Sequence, residues 1–374
     1  MTSSTETRPR HPAPDFAQQD TRFARAFDVL RDGIARHAFP GAAVAITHQG
    51  RLVALKGLGR FTYEPESPAV QPETIYDLAS VTKAVATTTM AMILYERGQF
   101  DLDAPLITAL PEFAGDDSRR QQVTFRMLLA HSSGLPAYER LFEKATGYAQ
   151  MLPAILAVPL TNNPGTQVEY SDIGFLLLAL AMTQITRWGF GSLCAYEIFR
   201  PLGMLQTTFR PHPKLRSAVP PTEKSPRFPG TIIQGEVNDE NARAMGSEDP
   251  GHAGLFAPAE DVARFAECML AGGRPILRPE TVALFTRRQD SPPGTSRTLG
   301  WDTPSPPSQS GQYFSPRSFG HLGYTGTSLW IDPERRLSVT LLTNRTWPDR
   351  KSQLIKEVRP RFHDAVVECL EGRT

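Results

Sequence analysis

The amino-acid sequence predicts an α+β fold: an antiparallel sheet of five or so strands flanked by the terminal helices, with a large helical lobe inserted. Three observations carry this. Strand-like runs fall near both ends of the chain, the middle from about residue 80 to residue 285 reads as one helix after another, and an amphipathic helix stands at each end.

Met1 to Asp20 is rich in Thr, Ser, Pro, Arg and Gln and has no apolar h-region, so it reads as a disordered tail and not a signal peptide. From Arg22 to Ala38, Phe23, Phe27, Leu30 and Ile34 recur at helical spacing and form one core stripe, which Pro40-Gly41 ends. Gly41 to Thr47 and Arg51 to Lys56, joined through His48-Gln-Gly50, read as a hairpin. The helix expected from Val81 to Tyr95 is apolar nearly all round, the pattern of a helix in a protein centre. Further helices are expected at Thr124 to His131, near Tyr148 to Ala157, at Ile173 to Thr186, at Gly191 to Ile198 and at Pro258 to Leu270. Pro211 to Gly230 carries many prolines and reads as a long surface loop, a candidate lid. Phe319 to Gly323, Thr327 to Ile331 and Leu337 to Thr343 read as three strands, and a final helix runs from about Arg350 to Leu370. The expected organisation is a tail over 1–20, an α/β lobe over 21–79 and 290–374, and a helical lobe over 80–289. The active site is expected in the cleft between the lobes.

With 374 residues, 40% hydrophobic and 21% charged, the chain has ordinary globular composition, and a net charge of +1 without a basic run argues against a nucleic-acid partner. The longest apolar run, Ile173 to Met182, is too short to span a bilayer, so no membrane partner and a cytoplasmic location are expected. Cys194, Cys268 and Cys369 have no metal-like spacing and read as reduced thiols. No metal or other cofactor is implied. Zinc-hydrolase, nucleophile-elbow and phosphate-loop motifs are missing from the sequence.

Chemistry enters at Ser80-Val-Thr-Lys83. Residues three apart at a helix start share a face, so the Ser80 hydroxyl and the Lys83 amine meet there. The positive end of the helix dipole favours an alkoxide and disfavours an ammonium, which moves the two toward a nucleophile and base pair. Alone, the tetrapeptide is a weak signal. Two further stretches follow it, Tyr170-Ser-Asp172 at the mouth of a helix and His321-Leu-Gly323 on the first C-terminal strand.

In this order and spacing the three stretches resemble the serine β-lactamase-like superfamily of class C β-lactamases, penicillin-binding proteins, D-amino-acid peptidases and family VIII carboxylesterases. Leu128-Leu-Ala-His131-Ser-Ser-Gly134-Leu-Pro136, Gly251-His-Ala-Gly-Leu-Phe256, Leu299-Gly-Trp301 and Gly326 add to the resemblance, which covers roughly residues 22 to 370. It implies a β-lactamase/transpeptidase-like fold and a nucleophile at Ser80 that becomes an acyl-enzyme. It also implies Lys83 and Tyr170 as the groups that take or relay the proton, and Ser80 and Tyr324 backbone amides as an oxyanion hole. Asp172, His321 and Gly323 are the implied substrate-binding residues. His321 stands where the family has a lysine that helps bind a substrate carboxylate, and Asp172 stands where Asn is usual; a carboxylate beside Lys83 raises the lysine pKa. Both departures point away from an efficient β-lactamase. His131 and His252 read as structural turn residues, and Arg345 is open between cleft and surface.

The expected function is that of a serine hydrolase acting on a small ester, amide or peptide, of the esterase or D-amino-acid peptidase and muropeptide amidase type. The alternatives are a β-lactamase or acyltransferase on the same site, or a non-catalytic penicillin-binding-like protein. The sequence does not set the oligomeric state.

Overall fold

The computed structural model describes residues 12–372. Strands β1 (Ala13–Pro14), β2 (Gly41–His48), β3 (Arg51–Gly59), β4 (Phe319–Leu322), β5 (Ser328–Asp332) and β6 (Leu337–Thr343) make one sheet in the order β1-β3-β2-β6-β5-β4. The β2–β3 hairpin turns through Gln49 and Gly50, both at positive φ (54° and 78°), which matches the right-handed strand twist. Strand β6 runs antiparallel to β2 from Leu337 opposite His48 to Thr343 opposite Ala42, and so closes the C-terminal strands onto the N-terminal hairpin.

The expected disordered tail needs correction over part of its length. Residues 1–11 lie outside the described residues, but Ala13 and Pro14 pair in parallel with Arg51 and Leu52. The Gln19 side chain accepts the Leu55 N–H at 2.8 Å. A two-residue edge strand that includes a proline shows no alternation to read, and its pairing depends on a partner forty residues away. The sheet therefore has six strands, one of them parallel.

Alternation along the strands sends side chains to two cores. Ala42, Val44, Ile46, Val339 and Leu341 share a core with Phe23 and, from α1 (Ala24–Ala35), Phe27 and Leu30. Val358, Phe362 and Val366 of the C-terminal helix lie in the same core. Ala43, Ala45, Leu329, Ile331 and Leu342 belong to the larger core under the helical lobe. That lobe contains α2 (Thr89–Glu96), α3 (Phe125–Leu129), α4 (Tyr148–Leu156) and α5 (Asp172–Thr186). Ile173 through Met182 of α5 are buried without interruption, which explains an apolar run with no polar face. Among the described residues no single helix is long and apolar enough to cross a membrane.

Helix α6 (Ala259–Leu270) falls in the range expected for the helical lobe, yet it packs on β2, β6 and β5. Its Phe265 stacks on Trp301 at 6.1 Å, and Trp301 meets the edge of Phe319 at 5.1 Å. The inner face of the sheet is thus covered by a helix from the middle of the chain, and α7 (Ile355–Glu371) covers the outer face with α1. Periodicity identified α6 as a helix but carries no information on which neighbour its apolar stripe meets. Cys194, Cys268 and Cys369 are free thiols.

Candidate active site

The chain reaches Ser80 through a strained turn. Ala79 has φ 46°, a left-handed conformation costly for a residue with a Cβ. It is held there by Asp77, whose carboxylate accepts the Ala79 N–H at 2.8 Å and the Asn238 N–H at 2.7 Å. Burial pushes this carboxyl up to about 6 against those two hydrogen bonds. Next come three tight i→i+3 bonds, from the N–H groups of Val81, Thr82 and Lys83 to the carbonyls of Leu78, Ala79 and Ser80. Side chains three apart eclipse in such a turn, and Lys83 Nζ donates to Ser80 Oγ at 3.0 Å.

After that start the helix widens. Lys83–Thr88 is a π-helical turn before the regular α-helix of α2, where the sequence predicts a regular helix from Val81. The widened turn is part of the site, because Lys83 is its first residue and Thr87 Oγ1 donates to the Gly251 carbonyl across it.

Lys83 is fully buried and its amine has several partners. Nζ donates to the His252 carbonyl at 2.7 Å and lies 2.6 Å from Asp172 Oδ1. It stands 5.0 Å over the Tyr170 ring and 5.7 Å from that of Phe175. Lys83 and Ser80 both act on the Tyr170 hydroxyl and pull its pKa down against burial. Burial alone pulls the Lys83 amine down, but Asp172 and then Tyr170 outweigh it, and the net displacement is upward. Burial also raises the Tyr170 phenol, with Lys83 opposing. The resting site therefore holds an ammonium and a neutral phenol, so burial and the helix end do not by themselves make Lys83 a free base.

Tyr170 is positioned from behind by His131. The His131 ring packs on it at 4.6 Å, and its Nδ1 accepts the N–H of Ser171, the N-cap of α5. Asp172, the first residue of α5, is fixed by its N–H to the Ala137 carbonyl at 2.9 Å.

The opposite wall is β4 and the turn after it, stapled to the Ser80 segment. Thr325 and Thr327 hydroxyls donate to the Asp77 and Leu78 carbonyls at 2.8 and 2.9 Å. Gly323 sits where a Cβ would come within 2.5 Å of the Leu78 oxygen. The need for glycine there is close packing of the two walls as much as access for a substrate. Among the described residues neither the Ser80 nor the Tyr324 N–H has an acceptor, as an oxyanion hole requires.

His321 Nδ1 lies 2.8 Å from the Leu322 carbonyl, which can only accept, so Nδ1 carries the hydrogen and Nε2 has a lone pair. Nε2 is buried without a hydrogen-bond partner. Burial, then Lys83 and Arg297, drives this imidazole down to about 3, so it stays neutral. The ring faces that of Tyr170 at 6.0 Å.

Ser80, Lys83, Tyr170, Asp172 and His321 thus surround one point, and Gly323 and Tyr324 close it from the strand side. Sequence reasoning missed two contributors and left a third, Arg345, open. The His252 carbonyl holds Lys83, a backbone role that no side-chain pattern displays. Arg297 stacks over the Tyr170 ring at 5.2 Å, and its only sequence signal was its place two residues before Leu299-Gly-Trp301. Arg345 donates through Nε to the Tyr324 carbonyl at 2.7 Å and lies 4.4 Å over that ring, so it shapes the turn and is buried. The proline-rich stretch expected as a lid is anchored beside it: Asn344 Nδ2 donates to the Pro221 carbonyl at 2.9 Å and Arg350 Nε to Glu223 at 2.8 Å. Among the described residues no cluster of His, Cys, Asp and Glu could hold a metal ion.

Residues 26–359 match the Beta-lactamase family. The chain belongs to the beta-lactamase family. It is 30% identical to the N-acetylmuramyl-L-alanine amidase of Bacillus subtilis (strain 168), over 88% of this chain and 83% of that protein. It is 31% identical to an Escherichia coli (strain K12) protein provisionally named D-alanyl-D-alanine carboxypeptidase, over 73% of this chain and 69% of that one. Two solved structures share the fold. EstCE1, a hydrolase with promiscuous acyltransferase activity, has a TM-score of 0.77 at 22% identity and covers 93% of this chain and 99% of its own. Simvastatin synthase from Aspergillus terreus has a TM-score of 0.74 at 21% identity and covers 94% of this chain and 98% of its own. The fold is accordingly the β-lactamase/transpeptidase-like one, and the chain is a serine hydrolase of this family.

Proposed function

We propose that the protein cleaves a small carboxylic ester or amide through an acyl-enzyme on Ser80, with a muropeptide amide as the substrate type its relatives favour. The observation that carries this is the contact of Ser80 Oγ with Lys83 Nζ at 3.0 Å, with that amine 5.0 Å over the Tyr170 ring. Resting Lys83 and Tyr170 hold one proton too many for attack. Loss of that proton from the pair leaves a base in contact with Ser80 Oγ. As Oγ attacks the carbonyl carbon, its proton passes to the pair, and the carbonyl oxygen becomes an oxyanion held by the Ser80 and Tyr324 N–H groups. Such a donor stabilises the transition state by about 3 to 4 kcal/mol. The pair then protonates the departing alcohol or amine. In the second half, water gives its proton to the same pair, attacks the acyl carbon and releases Ser80.

Asp172 and His321 disfavour a lactam specialist, since Asp172 keeps Lys83 charged and His321 is a neutral acceptor where a cation would meet a lactam carboxylate. A cytoplasmic location, as expected from the sequence, would direct the enzyme to wall fragments brought into the cell. Fluorophosphonate labelling with mass mapping tests the nucleophile. Turnover of p-nitrophenyl esters, muramyl peptides and a chromogenic cephalosporin then ranks the substrates. Ser80→Ala is expected to lose the label and at least about 10⁴-fold in turnover. A label elsewhere, or full activity in Ser80→Ala, refutes the mechanism. An added alcohol that appears in the product would assign acyl transfer.

A further inference from the structure

Arg297 is a largely buried cation beside Tyr170 whose N–H donors its protein neighbours leave open. Its guanidinium lies 5.2 Å over the Tyr170 ring, its side chain is only 21% exposed, and among the described residues none of its side-chain N–H groups makes a hydrogen bond. The nearest carboxylate, Asp302, is 3.8 Å away. Its Oδ2 makes that ion pair with one end of the guanidinium, while Oδ1 accepts the Ser296 hydroxyl at 2.7 Å and the Thr303 N–H at 3.0 Å. A guanidinium presents a planar fork of donors suited to a carboxylate, and one long ion pair leaves those largely buried N–H donors without hydrogen bonds, which is costly unless a ligand completes them. The contact with the Tyr170 ring and the low exposure of the side chain place its charge toward the site, where it helps keep the His131 and His321 rings neutral. The His321 ring also lies against Tyr170, 6.0 Å away, and its Nε2 lone pair is buried and unpartnered.

We propose that Arg297 is the specificity-determining residue that anchors a carboxylate of the substrate, while His321 Nε2 accepts a neighbouring substrate N–H or O–H. The enzyme thereby selects acidic esters and amides over neutral ones. This rests on the hydrolase reading above and gives it a substrate class. Arg297 belongs to the segment before Leu299-Gly-Trp301, so the anchor lies off β4, whose family lysine is here His321. The carboxylate can belong to the acyl part or to the leaving part, and the chemistry at Arg297 is the same.

The test is a selectivity ratio. In one arm, p-nitrophenyl hydrogen glutarate is compared with p-nitrophenyl methyl glutarate; in the other, an N-acyl-alanine with its primary amide. Wild type is expected to prefer the acid in at least one arm, and the arm identifies the side of the scissile bond. Arg297→Gln should reduce that ratio of kcat/KM by about 10- to 100-fold, mainly through KM, and Arg297→Lys should restore part of it. An unchanged ratio in Arg297→Gln overturns the proposal, whether or not both rates fall, because a fall common to both substrates is the mark of a group that positions Tyr170. No acid preference in a wild type that labels at Ser80 overturns this inference alone. Failure of every ester to acylate Ser80 overturns the hydrolase reading and this inference with it.

Discussion

On the helical wall of the cleft, Ser80, Lys83, Tyr170 and Asp172 are engaged with one another by charge or hydrogen bond. The wall made by β4 and the Arg297 segment instead presents the Tyr324 N–H, His321 Nε2 and the Arg297 guanidinium without hydrogen-bond partners. Groups that must hold and pass a proton are fixed by mutual contacts, which prevents reorganisation when charge moves. Groups that must receive a substrate are left open for the substrate to complete. The difference divides the cleft into a side that does chemistry and a side that recognises.

The contrast is broken most severely at Lys83. Lys83→Met removes the cation from between Ser80, Tyr170 and Asp172, and turnover is expected to fall by about 10³- to 10⁴-fold. It also strips Asp172 of its counter-charge, and losing one partner of a buried ion pair costs roughly 3 to 5 kcal/mol, visible as a lowered denaturant midpoint. Activity within tenfold of wild type would show that the helical wall is not the engine.

Gly323→Ala tests the opposite wall. The new Cβ would press on the Leu78 oxygen and push the Tyr324 N–H away from Ser80. A shift of about 1 Å in a catalytic donor costs on the order of 10²-fold, expected in kcat together with a lowered thermal midpoint, since the Cβ would also crowd the buried Thr327 hydroxyl. Retention of kcat would mean that the two walls can part without loss.

The smallest effect sharpens the comparison most. Asp172 raises the Lys83 amine, so Asp172→Asn should lower the pH at which Lys83 gives up its proton. If the pair must lose that proton before attack, the acid limb of kcat/KM moves to lower pH, with the rate near neutrality within about tenfold of wild type. A limb that stays in place would assign Lys83 to stabilising the alkoxide as a permanent cation.

Much of this was readable along the chain because local rules were strong where they applied. Continuous burial of Ile173 to Met182 follows from a run with no polar face, and β6 coincides with Leu337 to Thr343 because alternation and turn residues bound it on both sides. Ser80, Lys83 and Tyr170 were found as side chains with chemical meaning in a family order. The His252 carbonyl was missed because every residue has one. Arg297 was missed because an arginine in a polar loop is ordinary until a ring is seen beneath its guanidinium. The π-helical turn after Ser80 was missed because the apolar pattern of a widened turn is that of any buried helix.

Composition and period along the chain were enough for the α+β class and the helix and strand types, and the order of the motifs for the proposed nucleophile, because these depend on residues close in sequence or on motifs with their own chemistry. The partner of α6, the parallel pairing of Ala13–Pro14 and the protonation of the site were decided only when the chain closed. Each depends on distance in space. The Lys83 amine is set by a carboxylate 89 positions away in sequence and 2.6 Å away in the fold, which together with Tyr170 outweighs the burial that pulls the amine toward a free base.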